Sequence, residues 1–163
     1  MEETPTIRDF AAGDAEAINR LAVAAFEPFA QHYSDWRTMA ANLAKMSALA
    51  DSGEIIVAAA GDRIAGAVAY IPPNAPKAAY FDAAWPIIRM LVVDPAFRGK
   101  RIGRILTDEC LARARRDGAQ VMALHTSPIM TVALPMYLRM GFAKLRDAPP
   151  IFGVDYAVYT KSL

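Results

Sequence analysis

The sequence predicts an α/β (α+β) chain built around a mixed sheet, and three observations carry that prediction. Apolar runs of strand length alternate with segments of helical periodicity. A two-residue Gly-Asp turn joins "EIIVAAA" to "RIAGAVAYI" as a hairpin. A second pair of strand-like runs closes the chain, so hairpins bracket an interleaved middle.

Taken in order, residues 6–10 ("TIRDF") alternate as a short strand. Gly13 and Asp14 offer a helix start, and Ile18, Leu21, Val23 and Phe26 follow at mostly helical spacing until Pro28 ends or kinks the helix. Residues 35–50 read as a second helix, with Asp35 as cap and Trp36, Met39, Leu43 and Met46 on one face. The hairpin follows. Pro72, Pro73, Pro76 and Pro86 then make residues 72–86 irregular. "IIRMLVV" at 87–93 reads as a buried strand. A glycine-bearing basic stretch leads into a helix that runs to about Asp117, where Gly118 stops it; Gly103, Leu106, Cys110 and Ala114 make one stripe along it. "QVMALHT" is another strand, residues 131–139 are a short helix stopped by Gly141, and "FAKL" and "VDYAVYTKSL" are a final antiparallel pair connected around 147–153.

A chain of 163 residues is most simply one domain over 1–163, and its 55% hydrophobic content is enough for a core without staples. Its 18 basic and 17 acidic residues give a net charge of +1, which excludes the basic excess of a nucleic-acid binder. The single cysteine, Cys110, excludes an intrachain disulfide framework and favours a reducing, cytoplasmic setting. On its apolar stripe, it reads as a small buried hydrophobe rather than a nucleophile. The polar start "MEETPTIRDF" has no signal-peptide character. The longest uncharged run, 119–138, contains Gln120, His125, Ser127, Pro128 and Pro135 and does not read as a membrane span. No His/Cys spacing suggests a metal site.

The chemistry concentrates in "DPAFRGKRIGRIL". Arg98, Lys100, Arg101 and Arg104 fall within seven positions, threaded with Gly99 and Gly103. Without these four the rest of the chain holds 14 basic against 17 acidic residues, so the positive charge is local. A strand, a glycine-bearing turn and a helix N-terminus together make an anion cradle: first-turn N–H groups lack intrahelical partners, and the helix dipole adds to them. The P-loop pattern is absent, as is Gly-x-Gly-x-x-Gly after the first strand.

"IRMLVVDPAFRGKRIGRIL" resembles the acetyl-CoA-binding motif of the GNAT family of N-acetyltransferases, Arg/Gln-x-x-Gly-x-Gly/Ala after a fourth strand. Arg98 fills its first position and Gly103 its last, while Arg101 stands where the middle glycine would be. Downstream, "ALPMYLRMGFAKL" resembles the family's second signature through Ala133, Tyr137, Gly141 and Phe142. The resemblance implies a mostly antiparallel sheet whose fourth and fifth strands splay apart. It implies that the backbone N–H groups of Arg98, Gly99, Lys100, Arg101, Ile102, Gly103 and Arg104 hold the pyrophosphate of acetyl-CoA. Leu91, Val92 and Val93 would line the pantetheine arm, with the N–H of Val92 or Val93 polarising the thioester carbonyl. Tyr137 would protonate the leaving thiolate, a thiol near ~8.5 taking its proton from a phenol near ~10. The implied reaction is direct attack by a primary amine of unspecified identity. A non-catalytic acetyl-CoA sensor on the same fold is the alternative.

Some positions depart from the family. A glutamate is frequent near the start of the fourth strand, where Ile87 and Ile88 stand here; Glu27, His32, Asp35, Asp82 and His125 are the remaining candidate bases. Met130 occupies the place of a frequent asparagine, leaving Ser127 or Thr131 to take over its contact. Phe26, Phe29, Tyr33 and Trp36 either line a pocket or pack two helices. The proline-rich segment with Tyr80, Phe81 and Trp85 reads either as a lid over the acceptor or as the contact of a homodimer.

Overall fold

The structure, a computed structural model, describes residues 4–163. Its elements are β1 (Thr6–Asp9), α1 (Ala15–Phe26), α2 (Trp36–Leu43), β2 (Glu54–Ala60), β3 (Arg63–Ile71), β4 (Ile87–Val93), α3 (Ile102–Arg116), β5 (Val121–Thr126), α4 (Ala133–Arg139), β6 (Ala143–Ile151) and β7 (Val154–Ser162). The strands form one seven-stranded sheet in the order β1-β2-β3-β4-β5-β7-β6. Every pairing is antiparallel except β4 with β5. This is the mixed, mostly antiparallel sheet flanked by helices that the sequence predicts.

Helices cover both faces of the sheet, so β2 and β3 are apolar nearly throughout. Alternate side chains feed two cores. On one face Ile55, Val57, Ala67 and Ala69 meet Ile18 and Leu21 of α1 and Leu43 of α2. On the other, Ile56, Val68 and Met122 meet Ile102, Leu106 and Cys110 of α3 and Tyr137 of α4. The N-terminus of α3 is drawn hard against the sheet at Gly66, where a Cβ would stand 2.8 Å from Ile102 and 2.9 Å from the Val92 carbonyl oxygen.

The second helix is shorter than predicted. It ends at Leu43, and Met46–Asp51 forms a separate 3-10 turn. The Asn19 side chain explains the break: its Oδ1 accepts the Ser47 N–H at 2.8 Å and its Nδ2 donates to the Ser47 hydroxyl at 2.9 Å, in place of a continuing helical ladder. The last hairpin is tighter than predicted. β6 runs through Pro149 and Pro150 to Ile151, and the chain reverses at Phe152 and Gly153, both at positive φ. Two prolines are tolerated there because β6 is an edge strand with no outer neighbour. Pro135 falls in the first turn of α4, where its missing N–H breaks no helical bond.

β4 is less buried than predicted. Arg89 is exposed, and Met90, Leu91 and Val93 are only partly covered. Two features cause this. The register with β3 slips between Ala67 and Ala69, so that Met90 and Leu91 stand opposite one residue, with Met90 at φ 58°. Pairing with β5 is confined to Ile87 opposite Ala123. Beyond that point the two parallel strands separate, and the sheet has a gap in its middle.

Candidate functional site

The turn that follows β4 starts at Asp94, whose Oδ1 accepts the Ala96 N–H at 2.8 Å. Gly99 has φ 80° and Arg101 has φ 62°, ψ 20°. Arg101, where the motif's middle glycine would stand, is thus left-handed. The chain must reverse its twist here to enter α3, and that geometry favours glycine. The Arg98 N–H is donated to the Pro95 carbonyl at 3.4 Å. In contrast, the N–H groups of Ile102, Gly103 and Arg104 open the helix with no intrahelical partner and bond to no other described residue. Gly103 lies over the end of β4. A Cβ there would sit 3.6 Å from Leu91, 3.7 Å from the Met136 sulfur and 3.9 Å from Val93, so the glycine keeps a shallow cradle open. Three cations around this turn have protein contacts as well: Arg98 donates to the Ala25 carbonyl at 3.4 Å, Arg104 pairs with Asp108 at 3.3 Å, and Lys100 lies over the Phe97 ring.

The direction of the β4 amides follows from the ladder. The Asp94 N–H donates to the Ala65 carbonyl of the β3 side at 2.8 Å. Alternation then turns the Val92 N–H toward β3 and the Val93 N–H away from it, into the gap. Of the two amides proposed to polarise a carbonyl, Val93 is the one with the required direction.

Tyr137 sits on α4 at the opposite wall, only 4% exposed, with its ring edge-on to Phe142 at 5.6 Å. Its hydroxyl has no hydrogen-bond partner, yet no fully buried side-chain polar atom among the described residues lacks one. The hydroxyl oxygen therefore reaches the open cleft. Burial raises the phenol pKa well above its usual value, so the group stays protonated at neutral pH.

A cavity of about 330 Å³ opens at the gap. It takes lining from both faces of the sheet, Tyr137 and Leu91 from one and Phe26, Phe81 and Tyr156 from the other, and so passes through it. The proline-rich segment packs along it, and Tyr80 and Phe81 both line the wall. Lys77 holds that segment, its ammonium donating to the Pro72, Ala75 and Ala83 carbonyls at 3.3, 2.8 and 3.1 Å. Of the aromatic group on the first helices, Phe26 lines the cavity, whereas the Tyr33 hydroxyl sits 2.6 Å from that of Tyr156 beneath it.

Among the five candidate bases only His125 lines the cavity. Asp35 caps α2 through Thr38, Asp82 accepts the Ala84 N–H, and His32 is exposed on a 3-10 turn. His125 is stacked on Phe81, and its Nδ1 lies 2.9 Å from the Tyr80 hydroxyl. Burial, with help from the charge of Arg89, lowers its pKa to about 4. Cys110 is fully buried with a raised thiol pKa, in keeping with a packing role. Sequence reasoning missed Arg89, which also lines the cavity. The signal for it was a lone charge inside the apolar run "IIRMLVV".

The acetyltransferase (GNAT) family model matches residues 15–142, and the chain belongs to that family. The fold is shared with solved structures of low sequence identity. A GCN5-related N-acetyltransferase from Rhodopseudomonas palustris is 23% identical, with a TM-score of 0.78 over 100% of this chain and 98% of that one. A GNAT family acetyltransferase from Staphylococcus aureus is 19% identical, with a TM-score of 0.75 over 98% and 99% of the two chains. A GNAT family acetyltransferase from Elizabethkingia anophelis, with acetyl-CoA bound, is 19% identical, with a TM-score of 0.68 over 98% and 99%. No protein of curated function matches the chain in sequence.

Proposed function

We propose that the chain is an acetyl-CoA-dependent N-acetyltransferase, a single domain over residues 1–163, that moves the acetyl group to a primary amine by direct attack within the β4–β5 gap. One observation carries the reading. The gap joins the unpartnered first-turn amides of α3 at one end to a partly open cavity at the other, with the Tyr137 phenol on the wall between them.

Acetyl-CoA supplies an acyl group activated as a thioester, with a thiolate to leave. The residues present fit it. The N–H groups of Ile102, Gly103 and Arg104, aided by the α3 dipole and the basic turn, suit a pyrophosphate, and Gly103 leaves room for it against the backbone. Gly99, Lys100, Arg101 and Arg98 complete the turn that shapes the cradle. Leu91 lines the cavity on the stretch of β4 along which the pantetheine arm would lie, whereas the Val92 side chain is buried in the core; the Val93 N–H, which faces the gap, would donate to the thioester carbonyl oxygen. Tyr137 presents its Oη at the cleft as the proton donor for the leaving thiolate; burial makes the phenol a weaker acid, and the transfer relies on the thiolate being desolvated in the same cleft, which raises its basicity as well.

The amine must arrive unprotonated. An α-ammonium near pKa ~8 lies about 4 units above the imidazole of His125, so transfer between them costs about 5 kcal/mol. The amine therefore has to lose that proton to bulk solvent before it binds.

Release of free thiol from acetyl-CoA in the presence of an amine panel tests the reading. Turnover is expected, and Tyr137→Phe is expected to lower kcat about 100-fold while acetyl-CoA affinity stays within about threefold. Unchanged turnover with chemistry rate-limiting removes Tyr137 as the acid. Tight acetyl-CoA binding with no turnover on any amine favours the sensor alternative, which the two isoleucines at the start of β4 support.

A further inference from the structure

Arg89 is the feature of the cavity for which the fold has no use. It projects from β4 one residue before the bulge. Its charge reaches Tyr80 and His125 strongly enough to affect both. No carboxylate pairs with it among the described residues, and none lines the cavity. The second cation there, Lys77, already gives all three of its donors to backbone carbonyls. The third basic side chain, His125, is neutral. The rest of the wall is apolar and aromatic, with Phe26, Phe81 and Tyr156 around the space.

We propose that Arg89 is an acceptor-carboxylate site, and that the amine acetylated here is an amino acid or a close analogue: a primary amine bearing a carboxylate and an apolar or aromatic body. The proposal rests on the acetyltransferase reading and names its substrate class.

Three physical arguments support it. An acceptor that fills the cavity strips water from the guanidinium, and only an anion in bidentate contact compensates for that loss. An aromatic wall alone would also suit a cation, but a polyamine entering this cavity meets Arg89 and Lys77 with no acid to receive it. The charge also helps the chemistry. With its amine deprotonated, the reactive form of an amino acid is an anion, and Arg89 favours that form over the zwitterion because a cation nearby disfavours the ammonium. The absence of a strong base on β4 and the presence of a lone arginine there then have one explanation.

The test is a binding titration of the CoA-loaded protein with matched pairs: L-phenylalanine against phenethylamine, L-tryptophan against tryptamine, L-methionine against its decarboxylated amine, with spermidine as the polycation. At least one acid is expected to bind about 10-fold or more tighter than its matched amine. Arg89→Gln is expected to erase that preference by weakening the acid alone, with acetyl-CoA affinity unchanged, and Arg89→Lys to restore part of it. Acids that bind no better than their amines, a preference for spermidine, or an Arg89→Gln loss shared equally by acid and amine would overturn the proposal. Thiol release run in parallel separates the two readings. An acid bound through Arg89 but never acetylated upholds the carboxylate site and sinks the transferase. Turnover blind to the carboxylate does the reverse.

Discussion

Arg101 and Gly103 stand two residues apart and obey different constraints. Arg101 is left-handed, a conformation that disfavours a side chain by roughly 1–2 kcal/mol. Arg101→Gly relieves that strain, offset in part by the greater freedom of glycine in the unfolded chain. A stability gain of up to about 1 kcal/mol by urea denaturation is expected, with acetyl-CoA affinity within about threefold of the parent. Gly103 has an ordinary helical backbone, and its small size matters for the space above it. A single Cβ would touch Leu91, Met136 and Val93 at normal distances, so the fold accepts alanine. The branches of valine project further into the cradle, and Gly103→Val is expected to cost at least about 10-fold in acetyl-CoA affinity with the circular dichroism spectrum retained. Equal affinities for the Arg101 and Gly103 variants would show that these roles are wrongly divided. Tyr137→Phe belongs at this scale too. The hydroxyl bonds to no other described residue, so its removal should leave stability within about 0.5 kcal/mol while slowing turnover.

At the scale of the element, β4 decides the site. Its bulge puts two residues opposite one of β3, bends the strand and ends its pairing with β5 after a single register position. The bulge depends on Met90 at positive φ, a conformation an unbranched side chain tolerates better than a β-branched one. Met90→Ile is therefore expected to cost about 1–3 kcal/mol, measured by urea unfolding, and to weaken acetyl-CoA as well, because a β4 that relaxes toward regular pairing narrows the gap. Full stability with unaltered coenzyme affinity would show that the bulge does not need this backbone. None of this was legible in "IIRMLVV", where apolar content signals a strand but not which residues of it stay uncovered. The proline-rich segment was legible only as irregular. Its docking over the cavity depends on the Lys77 ammonium meeting three carbonyls that the sequence does not pair with it.

Across the whole molecule, acid stability should report on the cavity. His125 has a folded pKa of about 4 against an ordinary value of 6.5. Between those values the unfolded chain binds a proton that the folded chain refuses. The contribution of this residue, about 3 kcal/mol, is therefore complete above pH 6.5 and lost as pH falls to 4. Asp14 and Asp117, whose pKa values Arg8 and Arg116 lower, titrate below that window. The urea midpoint should fall between pH 6.5 and 4, and His125→Gln should flatten the fall; an unchanged slope would remove His125 as its cause. By itself the sequence determined the order of strands and helices, both hairpins, the basic turn at the mouth of α3 and the family, because periodicity, turn residues and a local motif are all written in neighbouring positions. Only the tertiary structure decided where β4 leaves β5, which amide of β4 faces the gap, and that Arg89, His125, Tyr80 and Phe26 surround one cavity. Those facts depend on side chains brought together from across the chain, and on a bulge whose register is set by the partner strand.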